Sequence, residues 1–154
     1  SRTARYPALD LTVTVLTNAQ DGLSTEWVEG IASILFALHQ HGAPGKREAA
    51  WAGRWWSLWG ASDLVPMGKV VCQVAPAMFV PFNAATTELV VTGRDTGVVQ
   101  KASAYASPGQ PVRRVRDASC MPTELWVGGT QLLPKDAMLA EATRRYRKAR
   151  NASR

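Results

Sequence analysis

The chain has 154 residues, enough for one ordinary domain or two small units. An apolar fraction of 46% excludes wholesale disorder, two cysteines are too few for a disulfide scaffold, and no apolar run is long enough to span a bilayer. Of the formal charge of +6, five units lie in residues 135–154, where seven basic side chains face two acidic ones, so the body of the chain carries no basic stripe.

Residues 1–8 are expected to fray, and they have no apolar segment of the kind that opens a signal peptide. From Leu9 to Thr17 the sequence alternates, with Leu9, Leu11, Val13 and Val15 on one side, which predicts a strand. Asp21-Gly22 marks a turn, and Ser24 is placed to cap a helix with Glu26 in its first turn, where the helix dipole favours a negative charge. Trp27, Val28, Ile31, Ile34, Leu35 and Leu38 keep helical spacing, and Gly42 and Pro44 end the helix. Residues 43–50 are polar, rich in turn formers, and read as a linker.

After residue 50 the period changes. Trp51, Trp55 and Trp59 are four apart, which suits a helix or a strand, but Gly53 and Gly60 would weaken a helix by about 1 kcal/mol each. A strand over 51–59 is therefore predicted, with large rings alternating with Gly53 and Ser57 on one face. Further short strands follow at 68–74, 86–93, 97–105, 112–117 and 123–133, separated by turns such as Arg94-Asp95-Thr96-Gly97 and Ser107-Pro108-Gly109. That rhythm predicts an antiparallel sandwich or barrel over 51–134. The loop 75–85, interrupted by prolines, could cross a barrel mouth. A basic helix and tail over 135–154 close the chain, with the cations near a helix C-terminus where the dipole favours them.

The residues carry little chemistry of their own. His39 and His41 sit together at a helix end and do not share a helix face, so they make neither a triad nor a metal site. Cys72 and Cys120 leave a single bridge or two free thiols open. No phosphate-binding glycine motif occurs, and no metal or cofactor is expected. The tryptophans have two readings. They fill a core, or Trp51, Trp55, Trp59, Tyr105 and Trp126 line a cavity for a small apolar ligand. A stacking platform for single-stranded nucleic acid would want cations between the rings, and only Arg54 lies there.

The phrase "LDLTVTVLTNAQDG" (9–22) followed by an apolar helix resembles the last strand and C-terminal helix of the beta-lactamase-like serine hydrolase family. That family includes penicillin-binding proteins, class C beta-lactamases, esterases and D-aminopeptidases. Many members continue into a small lipocalin-like barrel that opens with an aromatic-x-Gly-x-aromatic phrase, similar to Trp51-x-Gly53-x-Trp55 here. A late "GxPvxFxrD" phrase of that barrel is similar to Gly109-Gln110-Pro111-Val112 through Asp117. The resemblance covers most of 9–134. It implies a mainly β chain with α elements: a strand–helix remnant of the α/β hydrolase domain (1–42), a linker (43–50), a lipocalin-like antiparallel barrel of six to eight strands (51–134) and a C-terminal helix.

The departure from the family is as informative. Ser-x-x-Lys, which carries the family nucleophile, occurs nowhere in the sequence; no tyrosine is followed by x-Asn, and there is no His-x-Gly. In the family these motifs precede the strand that matches 9–17. The resemblance thus implies a catalytically silent C-terminal part, with no catalytic residue of its own. Its partner would be a catalytic portion, in which a serine is acylated by an amide or ester, releasing the amine or alcohol, and the acyl-serine is then hydrolysed by water. The alternative is a free-standing barrel that binds a small apolar ligand, and a third reading is a basic interaction protein acting through its last helix. A homo-oligomer stays open; no specific nucleic acid and no transmembrane segment are expected.

Overall fold

The computed structural model describes residues 1–102 and 106–152. It is a mainly β protein: a two-stranded sheet with a long helix, an eight-stranded antiparallel barrel, and a C-terminal helix.

The first residues do not fray. Strand β1 (Arg2–Tyr6) and strand β2 (Leu11–Val15) form a hairpin in register from Arg2↔Val15 to Tyr6↔Leu11. Pro7 opens the single 3-10 turn Pro7–Leu9 between them, so the strand expected from residue 9 begins at Leu11. Asp10 closes that turn in the left-handed region, donating its N–H to the Pro7 carbonyl at 3.1 Å. The alternation gives the hairpin two unlike faces. Ala4, Tyr6, Leu11, Val13 and Val15 lie on one, and Val13 is buried. Thr3, Arg5, Thr12 and Thr14 make the other face polar, with the Thr3 and Thr14 hydroxyls 3.1 Å apart.

Helix α1 (Ser24–His41) packs on the apolar face of the hairpin, where Phe36 meets the edge of Tyr6 at 5.2 Å. Its start differs from expectation. Leu23, in the left-handed region, is the cap residue, and Ser24 is already inside the helix with no capping hydrogen bond. Its end is as expected: Gly42 donates to the Leu38 carbonyl at 2.8 Å. The buried face is not the large apolar one. Val28, Gly30, Ala32 and Ala37 are buried, while Trp27, Ile31, Ile34 and Leu38 form a stripe at i, i+4, i+7 and i+11 that stays exposed.

Two glycines let α1 lie against the barrel. A Cβ on Gly30 would stand 2.2 Å from the Phe79 carbonyl oxygen, and one on Gly68 would stand 2.0 Å from that of His41. Backbone meets backbone at both places, so only glycine fits. The Gly68 N–H also reaches the Gly42 carbonyl at 2.9 Å. The segment read as a linker contains a single turn of helix, α2 (Lys46–Ala49). Its Glu48 is buried, and backbone hydrogen bonding and the Arg47 guanidinium at 2.9 Å hold its carboxyl below the usual range.

The barrel is a simple meander. Strands β3 (Gly53–Ser57), β4 (Gly60–Met67), β5 (Val70–Val74), β6 (Thr87–Val91), β7 (Thr96–Lys101), β8 (Pro111–Arg116), β9 (Pro122–Val127) and β10 (Thr130–Leu132) each pair with their sequence neighbours. Trp56 and Leu133 exchange two 2.8 Å backbone hydrogen bonds and bring the first and last strands together. Bulges at Glu88/Leu89 and Val115/Arg116 add the local bend that closure needs. Two strands differ from expectation: β4 was not anticipated, and the run 123–133 is split by Gly128 and Gly129, both at positive φ, into β9 and β10.

Inward-facing residues fill the lumen: Trp55, Leu64, Val71, Leu89, Val99 and Leu125 form its centre. Each fully buried aliphatic side chain contributes about 1.5–3 kcal/mol relative to exposure. Outside the barrel, Val70, Cys72 and Val74 pack with Val65, Phe82 and Val90. Helix α3 (Lys135–Ala152) touches the barrel through its first turns, where Met138 is buried and the Lys135 ammonium lies 5.9 Å from the Trp56 ring. From Thr143 to Asn151 the helix is exposed. No helix among the described residues is long and apolar enough to cross a membrane.

Candidate functional site: the two ends of the barrel

The meander runs alternately up and down, so the loops gather at two ends with different chemistry. One end is closed. There Arg114, on β8 two residues beyond the inward-facing Val112, turns its guanidinium into the lumen. It lies over the Trp51 ring at 4.0 Å, donates to the Ala50 carbonyl at 2.6 Å and to the Arg94 carbonyl, and stands 3.3 Å from Asp95 Oδ1. Burial, with Arg116 beside it, pulls its pKa below the usual arginine value, against the pull of Asp95. Arg116 completes the cluster, donating to Asp95 Oδ1 at 2.6 Å and to the Cys120 carbonyl at 2.5 Å. This end is a plug: cation, ring and carbonyls are packed together, and among the described residues two buried polar atoms are left without a hydrogen bond, Trp51 Nε1 and Arg114 Nε, the latter in ion-pair range of Asp95.

The other end is open. Residues of the β3–β4 turn and the 75–86 loop, together with Ala106, Val127 and Thr130, surround a cavity of about 350 Å³. Its floor is the top of the core, at Val127 and Leu132. The loop that the prolines marked does reach this mouth, contributing Met78, Pro81 and Asn83 among others. It is held in shape by its own turns: Asn83 Nδ2 donates to the Val80 carbonyl at 2.8 Å, and the Thr86 hydroxyl accepts from the Asn83 N–H at 2.9 Å.

The tryptophans are distributed between these places rather than gathered on one wall. Trp51 precedes β3, held by its N–H to the Glu48 carbonyl at 2.9 Å, and is 2% exposed at the plugged end. Trp55 is 7% exposed in the middle of the core. Trp59 lies in the turn that ends β3, so the alternation stops before it; it is 84% exposed at the rim of the mouth. Trp126 sits between the inward-facing Leu125 and Val127 and therefore points outward, with Arg113 over its ring at 4.9 Å and its Nε1 donating to Glu124 at 2.8 Å. Tyr105 lies outside the described residues.

Other reactive groups are dispersed. Cys72 and Cys120 are both free thiols; Cys72 is buried, and desolvation together with Glu88 pushes its pKa up to about 11, which leaves it a poor nucleophile. No three metal-ligating side chains converge among the described residues. Arg114 and the polar lining of the mouth were missed from the sequence. The signal for Arg114 was its parity with Val112, hidden in the run Arg113-Arg114-Val115-Arg116.

The class of protein defined here is a lipocalin-like up-and-down barrel joined to a hairpin–helix unit. Comparison with family models, with curated proteins and with solved structures finds no match to the chain.

Proposed function

We propose that the chain is the non-catalytic C-terminal part of a beta-lactamase-like serine hydrolase, its barrel shaping substrate access or subunit contact for a catalytic portion that carries Ser-x-x-Lys. The observation that carries this reading is the hairpin–helix unit. Its two strands pair with each other and with no barrel strand, so the far edge of each keeps its backbone groups without a ladder. Beside it, α1 exposes the stripe Trp27, Ile31, Ile34 and Leu38. A sheet that continues on both edges and a body that covers the stripe would satisfy both features. The family's α/β domain supplies these, and the order of the phrases 9–22, 51–55 and 109–117 agrees with it.

The direct test is the gene. A catalytic portion bearing Ser-x-x-Lys, encoded in frame before Ser1 or as a neighbouring gene, is the expected finding, and absence of any such portion removes the reading. The purified chain is expected to hydrolyse neither a chromogenic ester nor a beta-lactam and to take no label from a fluorophosphonate. Turnover by the chain itself, abolished by one of its own substitutions, would likewise overturn it.

A further inference from the structure

We propose that the barrel mouth is a binding site for a small uncharged molecule that presents amide or hydroxyl groups. This inference stands apart from the hydrolase reading, since it concerns the cavity alone. It rests on a layering of the lumen. By strand alternation, Ser57, Ser62, Gln73, Thr87 and Thr130 occupy the same inward face as the core residues Trp55, Leu64, Val71, Leu89 and Leu132, one step nearer the mouth. Plug, apolar centre and polar crown therefore follow one another along the axis. The crown is the wall of the cavity.

The chemistry of that wall selects its occupant. Hydroxyls and a carboxamide both donate and accept, and Gln73 already shows one such bond, donating to the Ser62 hydroxyl at 3.0 Å while its carboxamide retains a second donor and an acceptor oxygen. No charged side chain lines the cavity among the described residues. Glu88 and Lys101, on strands that end at this mouth, pair with each other at 3.4 Å, and Arg114 is committed to the opposite end. An ion would lose hydration here without a counter-charge. A long hydrocarbon has no room either, because the lumen below Val127 and Leu132 is filled by side chains. The volume of about 350 Å³ suits a small molecule, with Met78 and Trp59 at the mouth to cover an apolar part of it.

The test is a nuclear magnetic resonance titration of the full chain, read at the Gln73 and Asn83 side-chain amides and the Trp59 indole. The neutral probes are N-acetyl-leucinamide and methyl glucoside, which separate an amide source from a hydroxyl source. The controls are leucinamide, N-acetyl-leucinate, benzene and dodecanoate. At least one neutral probe is expected to give saturable shifts at these reporters, with at least about tenfold weaker binding of every control, since polar sites discriminate strongly against ligands that leave them unpaired. Gln73→Leu, checked for an unchanged backbone spectrum, is expected to weaken that probe about fivefold, the effect of one net hydrogen bond. Trp59→Ala, at an exposed position, provides a second variant that keeps the fold and is expected to weaken it as well. Failure of both neutral probes to shift the reporters, binding of a charged or hydrocarbon control as tight as theirs, or indifference to both substitutions overturns the proposal.

Discussion

In the barrel, eight strands pass their hydrogen bonds from neighbour to neighbour until Trp56 and Leu133 join the ends; in the hairpin–helix unit, two strands share one ladder and stop. The barrel encloses its large apolar residues, whereas α1 buries small ones and leaves Trp27, Ile31, Ile34 and Leu38 outside. The difference teaches that burial in this chain is decided by closure. A sheet that closes creates an inside for its alternate residues, while a two-stranded sheet has only one face and one helix to use. The two units touch where Gly30 and Gly68 let backbones meet, and beside Gly30 the Trp27 ring meets the Phe79 ring edge-on at 6.5 Å.

The sharpest way to break the barrel side of this comparison is its core. Trp55→Ala is expected to destabilise the barrel by about 3–5 kcal/mol, the range for deleting a buried aromatic. Arg114→Ala should cost a similar amount, about 3–5 kcal/mol, because it strips the cation from the Ala50 and Arg94 carbonyls and from Asp95. Denaturant unfolding followed by tryptophan fluorescence measures both; a loss under about 1 kcal/mol for Arg114→Ala would mean that the plug contributes little.

Next in size is the junction. Gly68→Ala is expected to cost about 1–3 kcal/mol, since the residue sits at φ 51 and its new Cβ would meet the His41 carbonyl. Hydrogen exchange should then speed up in α1 and in the β4–β5 turn while amides in β8 and β9 keep their protection. Equal loss of protection everywhere would show that barrel and hairpin–helix unit unfold as one. Trp59→Ala, by contrast, should change stability by no more than about 0.5 kcal/mol, as expected for a ring that is 84% exposed.

The smallest effect concerns α3. Arg144 and Arg145, both 2.7 Å from Glu141, hold its carboxyl at about 2 against an ordinary 4.5. A folded-state pKa below the unfolded value means that the stabilisation is present above about pH 4.5 and fades as the pH falls from there towards 2. Side-chain carbonyl resonances of Glu141 should report the low midpoint, and the helical signal of residues 141–150 should weaken over the same window. A midpoint near the ordinary value would show the ion pairs to be absent in solution.

Much of the barrel was legible because its strands announce themselves locally. Val, Leu and Thr alternate in 87–91 and 123–127, and Asp or Gly punctuates the turns. Strand β4 was hidden because Gly-Ala-Ser-Asp shows no apolar alternation and Pro66 argues against a strand; its place is fixed by the ladders on both sides, Gly53↔Leu64 and Met67↔Val70. The strand Arg2–Tyr6 was hidden for a similar reason. Two arginines and a threonine carry no apolar face until Leu11–Val15 lies opposite. Of the aromatic residues expected to line a cavity, Trp59 stands at the mouth, Trp51, Trp55 and Trp126 lie elsewhere and Tyr105 is outside the described residues, while the serines, threonines and Gln73 that make the wall look in sequence like ordinary surface residues.

By itself the sequence determined much of the local conformation: where most of the strands extend, where α1 stops at Gly42, where the charge of the tail collects, and that no Ser-x-x-Lys is present. The tertiary structure alone decided inside from outside. Alternation says that neighbouring residues face opposite ways, but only closure of the sheet chooses which way is in, and so makes Trp55 core, Trp126 surface, Arg114 a plug and Gln73 the wall of a cavity.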